Sequence, residues 1–477
     1  MEPTQEGARS LTGPHVGPQA QRPRAQNAAD ANRHRDFPGA WSLCSFFLGP
    51  GLTLIVASTL APLYFTAFWP PPSRVIDFFQ EWASARNYRE GLPLYTPHRV
   101  TIPRYLGPRI STGEGLMIEV NAHPPTAVLL ALPFSLLRYR DAVLAWNLVS
   151  LGMLGASLYL LWRGLEIPFT WWSLFPLTTS LILCAPLFMQ FSLAQLTLLI
   201  LLLLTGTWAA DRSARPLLAG ALLGTATAIK LFPGFMFLYF VVRRKWKVLI
   251  AGALSMIVLT GVTASVFGWE PYQAYVLDVL PKVARFRASW RNESLVGFWA
   301  KLFEAPPRYL AVQPLCLSAA MMWSGIVASC APVLIAMAFI VRRAQTRLEQ
   351  DHAFGLSLTA MLLVAPITWD HYLLLLALPV AATWLCLPPT RGARIVFALI
   401  LTAFWFPALL MYELTIPGGL SVGIASPLHT VTILAYQCYA LVALFGLEAT
   451  IALCGTLPAR PMADASSHAA SADETEN

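Results

Sequence analysis

Residues 191–234 read FSLAQLTLLILLLLTGTWAADRSARPLLAGALLGTATAIKLFPG, and this stretch decides the fold. Two apolar runs, 194–210 and 216–229, flank a break that carries Arg212 and Arg215; the second run ends on Lys230 and is followed by Pro233. A soluble domain has no use for so long an apolar hairpin. A bilayer does, because only helices or closed barrels satisfy the backbone inside hydrocarbon. Working outward, a first run spans Leu43–Phe68, and others fall near 125–137, 141–162, 170–189, 231–242, 247–267, 312–341, 353–368, 371–387, 394–412 and 428–453. Several are shorter than the roughly 20 residues a crossing helix needs. Broken or re-entrant helices sheltered in protein are therefore expected among them. The expected architecture is all-α and polytopic, with about 10–13 transmembrane or re-entrant helices.

Composition agrees. Of 477 residues, 56% are hydrophobic and 12% charged, against about 25% charged in soluble domains. This excludes an ordinary cytosolic enzyme, a disordered chain and a fibrous one. The net charge of +8 comes from 33 basic against 25 acidic residues, only five of the basic ones are lysines, and they form no stripe. They cluster between apolar runs: Arg212 and Arg215; Arg243, Arg244, Lys245 and Lys247; Arg342, Arg343 and Arg347; Arg391 and Arg394. That is the positive-inside pattern, so the charge reads as topology and no nucleic-acid partner is implied. The seven cysteines include no CxxC pair, which signals neither a disulfide framework nor a zinc site.

Residues 1–40 are expected to be a disordered cytoplasmic tail, 41–457 a membrane domain and 458–477 a second disordered tail. The run Leu43–Phe68 is too long for a signal-peptide core and is read as a retained first span. With the four basic clusters inside, the loops 69–124 and 269–314 and the stretch 368–372 all fall outside. Parity requires the 125–137 run to be re-entrant or non-crossing. Within the first loop, DFFQEWASARNYREGLPLY suggests an amphipathic helix with Phe78, Phe79, Trp82 and Ala85 on its apolar face.

Against this background a few polar residues stand out. Asp77 with Gln80 makes a capping-box pattern, and it is equally a carboxylate able to take a proton from a hydroxyl. Glu81, one turn on, reads as a solvated partner. Lys230, in apolar sequence, either snorkels or meets an anionic headgroup. Lys282, Arg285, Arg287 and Arg291 form a basic cluster in the second outer loop, either a solvated helix or a phosphate site. The adjacent Asp370 and His371 in APITWDHYLLLLALP are a structural pair or a phosphate-binding and proton-relaying one. His123 precedes Pro124-Pro125 at the return to the membrane, and Gln195 is either a plain polar membrane residue or a cavity-lining one.

Taken in order, these marks resemble the GT-C superfamily of membrane glycosyltransferases, and within it glycosyltransferase family 87. They are Asp77, Gly91-Leu-Pro-Leu-Tyr95, Pro124-Pro125, the Gln195 that opens a long Leu run, the segment around Lys230, Asn292-Glu-Ser-Leu-Val-Gly297 and LLVAPITWDHYLLLLALP. The family usually carries Gly before the Gln, where this chain has Ala194, and often Asn-Gln-Ser where it has Asn292-Glu293-Ser294. The resemblance implies an inverting transfer of a sugar, mannose or arabinofuranose, from a polyprenyl-phosphate donor to a lipid or glycan acceptor. It places the enzyme in the cell membrane with its active site on the extracytoplasmic face. It implies Asp77 as general base. Lys230, Arg291 and His371 are preferred for the donor phosphate or sugar, with His123, Asn292 and Asp370 as further contacts. No cofactor is implied, and metal dependence varies in the superfamily. A secondary transporter or lipid flippase is the alternative, because broken helices and intramembrane charges also mark transport paths.

Overall fold

A computed structural model describes residues 47–71, 74–108, 119–167, 173–306, 312–419 and 423–454. The expected tails, 1–40 and 458–477, lie outside the described residues. Among the described residues five helices are long and apolar enough to cross a membrane: 49–68, 139–165, 246–267, 319–343 and 427–453. The number is seven if two sharply bent pairs each count as one span, and three shorter apolar helices accompany them. The protein is thus an all-helical polytopic membrane protein.

In chain order the helices are α1 (Leu52–Phe68), α2 (Phe79–Arg89), α3 (His98–Leu106), α4 (Pro125–Ala131), α5 (Tyr139–Leu165), α6 (Leu174–Leu183), α7 (Ala185–Leu193), α8 (Thr197–Arg212), α9 (Pro216–Ile229), α10 (Phe237–Val242), α11 (Trp246–Phe267), α12 (Glu270–Ala274), α13 (Leu280–Ala284), α14 (Leu295–Phe303), α15 (Ala319–Arg343), α16 (Arg347–Val364), α17 (Ala377–Cys386), α18 (Arg391–Trp405), α19 (Ala408–Thr415), α20 (Pro427–Val431) and α21 (Tyr436–Leu453). The breaks have local causes. Ala365 and Phe406 each precede a proline and are extended, as the proline ring demands, which ends α16 and α18. The pair α6–α7 bends by 61° and α18–α19 by 78°. The seven residues of α4 span only about 10 Å, too short to cross.

The centre of the bundle is α16, buried at every position from Asp351 to Leu363. Helices α9 and α11 approach closely because Gly220 and Gly224, four residues apart, face Gly252; a Cβ at either would run into the α11 backbone. The first loop differs from expectation. Helix α2 is no surface amphipathic helix: Phe79 through Ala85 and Asn87 are all buried, its polar side chains included.

The ends of α8 define two poles. At its C-terminus three residues of the basic clusters find partners: Arg212 with Asp351, which also accepts from Trp208 Nε1 at 2.8 Å; Lys245 with Asp211 at 2.6 and 2.8 Å; Arg243 with the carbonyls of Val341 and Ala344. At its N-terminus sits Gln195. The 16 residues between put the poles roughly 24 Å apart.

Candidate functional site

The residues singled out by their charge assemble at the Gln195 end. Helix α7 stops at Ala194, whose backbone is left-handed with φ 49°. That turn presents Gln195, which is further anchored by its carbonyl accepting from Trp146 Nε1 at 3.2 Å and from Gln190 Nε2. The Gln195 side chain spans two candidate residues. Its Nε2 donates to Asp77 Oδ2 at 2.6 Å, and its Oε1 accepts from Lys230 Nζ at 3.3 Å.

Asp77 lies just ahead of α2 and is half-buried. It does not cap that helix: Phe78 is the N-cap residue, and no side-chain cap bond forms. Gln80, its expected partner, instead accepts from the backbone N–H of Ala122 at 3.0 Å. The carboxylate is therefore available for chemistry. Burial pushes its pKa up, against the opposing pull of the Gln195 hydrogen bond and the Arg291 charge.

Lys230 ends α9 in extended conformation and is 6% exposed, so it does not snorkel to solvent. Its ammonium lies 4.7 Å from the Tyr372 ring centroid, and Phe232 stacks on the same ring at 4.8 Å. Among the described residues it makes no ion pair within 4 Å. Tyr372 links it to the second group, since His371 packs edge-on against that ring at 4.8 Å.

Asp370 organises this second group. Arg291 Nη2 donates to both of its oxygens at 2.9 and 2.8 Å; the His371 N–H donates to Oδ1 at 2.9 Å, and His371 Nδ1 stands 3.4 Å from the same atom. Arg291 Nε and His371 Nε2 are buried and have no hydrogen-bond partner among the described residues. Buried polar atoms are normally satisfied, so two such orphans on side chains that share Asp370 are open to a polar ligand.

Of the basic cluster Lys282, Arg285, Arg287 and Arg291, the structure turns only Arg291 into this group. Arg287 forks onto Glu304 at 2.5 and 2.7 Å, and Lys282 and Arg285 are exposed. Asn292 is a staple. Its Nδ2 donates to the carbonyls of Arg287 and Pro366, both at 2.9 Å, and its Oδ1 accepts from Thr368 N–H at 2.8 Å and from Ser294. It thereby ties the Arg291 loop to the strand-like stretch ahead of Asp370. Lys301, fully buried, donates to the Asn292 carbonyl at 3.0 Å. Neighbouring Glu293, in the same loop, is buried and pushed up to about 8, desolvation outweighing the attraction of Lys301.

His123 pairs through Nδ1 with Glu81 Oε1. Glu81 is 3% exposed, which corrects the expectation of a solvated side chain. The charges of both reach Asp77. The sequence leaves Gln195 ambiguous, marks Glu293 only as a departure from the family's Asn-Gln-Ser, and gives no role to Tyr372 or Lys301. Tyr372 follows directly on Asp370-His371, so its place in that motif was the available signal. Among the described residues no group of three His, Cys, Asp or Glu side chains is placed to hold a metal ion.

No solved structure matches the chain. Two relatives do. A polyprenol-phosphate-mannose-dependent alpha-(1-2)-phosphatidylinositol mannoside mannosyltransferase of Mycobacterium tuberculosis is 25% identical over 337 residues, which cover 67% of this chain and 72% of the relative. A protein of the same description from Mycolicibacterium smegmatis is 24% identical over 362 residues, 71% and 73% of the two chains. The sequence profile of Glycosyltransferase family 87 matches residues 121–366, just over half of the chain and the part that carries His123, Gln195, Lys230, Arg291 and Asn292. The chain belongs to glycosyltransferase family 87.

Proposed function

We propose that the protein transfers a sugar, mannose first among the candidates, from a polyprenyl-phosphate donor to the hydroxyl of a lipid or glycan acceptor, with inversion, on the extracytoplasmic face of the cell membrane. The observation that carries this reading is the Gln195 bridge. It sets a carboxylate able to act as base beside a buried, unneutralised ammonium able to hold a phosphate, as one reaction at one carbon requires. The names of the two relatives support mannose and a lipid-linked acceptor.

In the proposed step Asp77 accepts the proton of the acceptor hydroxyl as that oxygen bonds to the anomeric carbon. The bond from that carbon to the phosphate oxygen breaks, and its electron pair leaves with the phosphate. Burial raises the basicity of Asp77, which suits a general base. Lys230 and the Arg291 guanidinium stabilise the negative charge that grows on the leaving phosphate. His371, with a proton on Nδ1 directed at Asp370, accepts a sugar hydroxyl at Nε2; a second proton turns that atom into a donor for phosphate. Asp370 acts by holding Arg291 and His371, and Asn292 by fixing the loop that carries Arg291. His123, held by Glu81, contacts the sugar or headgroup.

The test is a panel of polyprenyl-phosphate sugars offered to the purified chain in nanodiscs, scored for labelled sugar in lipid and glycan fractions. Polyprenyl-phosphate mannose is expected to be used. Asp77→Asn is expected to cut transfer by about 10²–10⁴-fold with unchanged thermal unfolding. An Asp77→Asn protein with near-normal transfer overturns the assignment of the base.

A further inference from the structure

At the C-terminal end of α2, between the first loop and the segment 267–282, lies a cavity of about 620 Å³. None of the residues assigned above lines it. It sits within the ~300–1,000 Å³ range of small-molecule sites. Two aromatic pairs tie the first loop to the segment 267–282 around it. Tyr95 stacks on Tyr275 at 6.2 Å, and Tyr88 meets Phe267 edge-on at 4.8 Å. Gly91, at φ 71°, closes the C-terminus of α2 and turns the chain along the cavity wall, a conformation that favours glycine. Buried Leu94, Val120 and Val279 supply a fixed apolar floor.

The rim carries Glu270, Asp278 and Lys282, two carboxylates against one ammonium. That balance disfavours a phosphate. It favours an uncharged polyol, whose hydroxyls donate to carboxylates while its C–H faces lie on aromatic rings. One lining residue touches the segment that carries a candidate site residue. Tyr95 OH donates to the His123 carbonyl at 2.8 Å, and the His123 ring pairs with Glu81 in the field of Asp77.

We propose that this cavity is the acceptor subsite, taking the polyhydroxylated, uncharged sugar end of the acceptor and delivering one of its hydroxyls to Asp77. The identity of the occupant as acceptor rests on the glycosyl-transfer reading above; its chemistry as a polyol rests on the cavity.

The test is saturation-transfer NMR on the full chain in nanodiscs. Methyl α-mannosides of one to four sugars are offered free, and the same glycans are offered as headgroups of a glycolipid in the disc. Wild type and Asp77→Asn are expected to bind alike. Ala274→Trp, which fills the cavity, and the double variant Glu270→Gln/Asp278→Asn, which changes only exposed side chains, are expected to bind at least fivefold more weakly. Binding in both presentations, or only as glycolipid, supports the subsite and identifies its source. Absence of binding in wild type, or equal binding in all four proteins, overturns it. In transfer assays the cavity variants are expected to raise the acceptor KM at least fivefold and leave the donor KM within twofold; unchanged acceptor KM also overturns it. Mannoside binding that the cavity variants lose, in a protein that uses no polyprenyl-phosphate donor, overturns the transfer reading and leaves the polyol site standing.

Discussion

Gln195 is the residue whose two ends matter differently. Its Nε2 donates to the Asp77 carboxylate and favours the charged form, holding the pKa below where burial alone would put it. Removing that donor must raise the pKa, so a base that has to be deprotonated is ready only at higher pH. Gln195→Leu is expected to move the acid limb of the kcat/KM profile upward by about 1–2 pH units, the worth of a hydrogen bond to a charged group. A limb that stays in place, or moves down, refutes the coupling. Asp77, Lys230, Arg291 and His371 were legible in the sequence because charge is rare in this chain and costly in a bilayer. The contacts that join them were not. Asp77 and Gln195 lie 118 residues apart, and Glu81 and His123 lie 42 apart. No local pattern reports such pairs. Glu81 was misread for the same reason: a carboxylate in a polar loop looks solvated until the fold supplies its partner.

At the scale of elements, the loop between α13 and α14 carries its own tension. Glu293 is held near 8 in the folded chain, against an ordinary 4.5. Between those values the folded state keeps a proton that the unfolded state has released, so stability falls as pH rises through the window and levels off above about 8. Glu293→Gln removes this dependence. Relative to it, wild type is expected to lose up to ~1.4 kcal/mol per pH unit, read as a widening gap in unfolding temperature from pH 5 to 8. A constant gap contradicts the buried, proton-retaining carboxylate. Element breaks were partly legible. The short runs announce broken helices, but the stops ahead of Pro366 and Pro407 fall inside the expected runs 353–368 and 394–412. The burial of Phe79 through Ala85 in α2 was not legible, because this stretch keeps polar residues whose partners come from the returning segment at 121–122.

For the whole molecule, the two poles of α8 give the topology its content. Arg212 and Lys245, both ion-paired, and Arg243, bonded to the Val341 and Ala344 carbonyls, occupy one pole, and the Gln195 group the other. On the charge rule we propose that the paired pole faces the cytoplasm. In a variant with exposed Cys316 and Cys454 replaced by Ser, a Tyr88→Cys thiol is expected to react with an impermeant reagent added outside cells. A Trp246→Cys thiol is expected to react only after permeabilisation. The reverse order inverts the molecule. The apolar runs made the membrane class plain from composition, while the number of crossings stayed open, since short runs give length but not direction.

The bridge from Asp77 through Gln195 to Lys230 also fixes an electrical property of the proposed reaction. A proton arriving on Asp77 erases one negative charge as the departing phosphate gains one. The site therefore performs an internal displacement of charge, from one end of a single amide side chain toward the other, with no change in its total. Ionic strength acts on net charge and on exposed pairs far more than on such a short shielded shift. Turnover at saturating substrate is expected to stay within twofold between 50 and 500 mM salt, and a steep dependence of kcat would show that charge enters or leaves the site during the step.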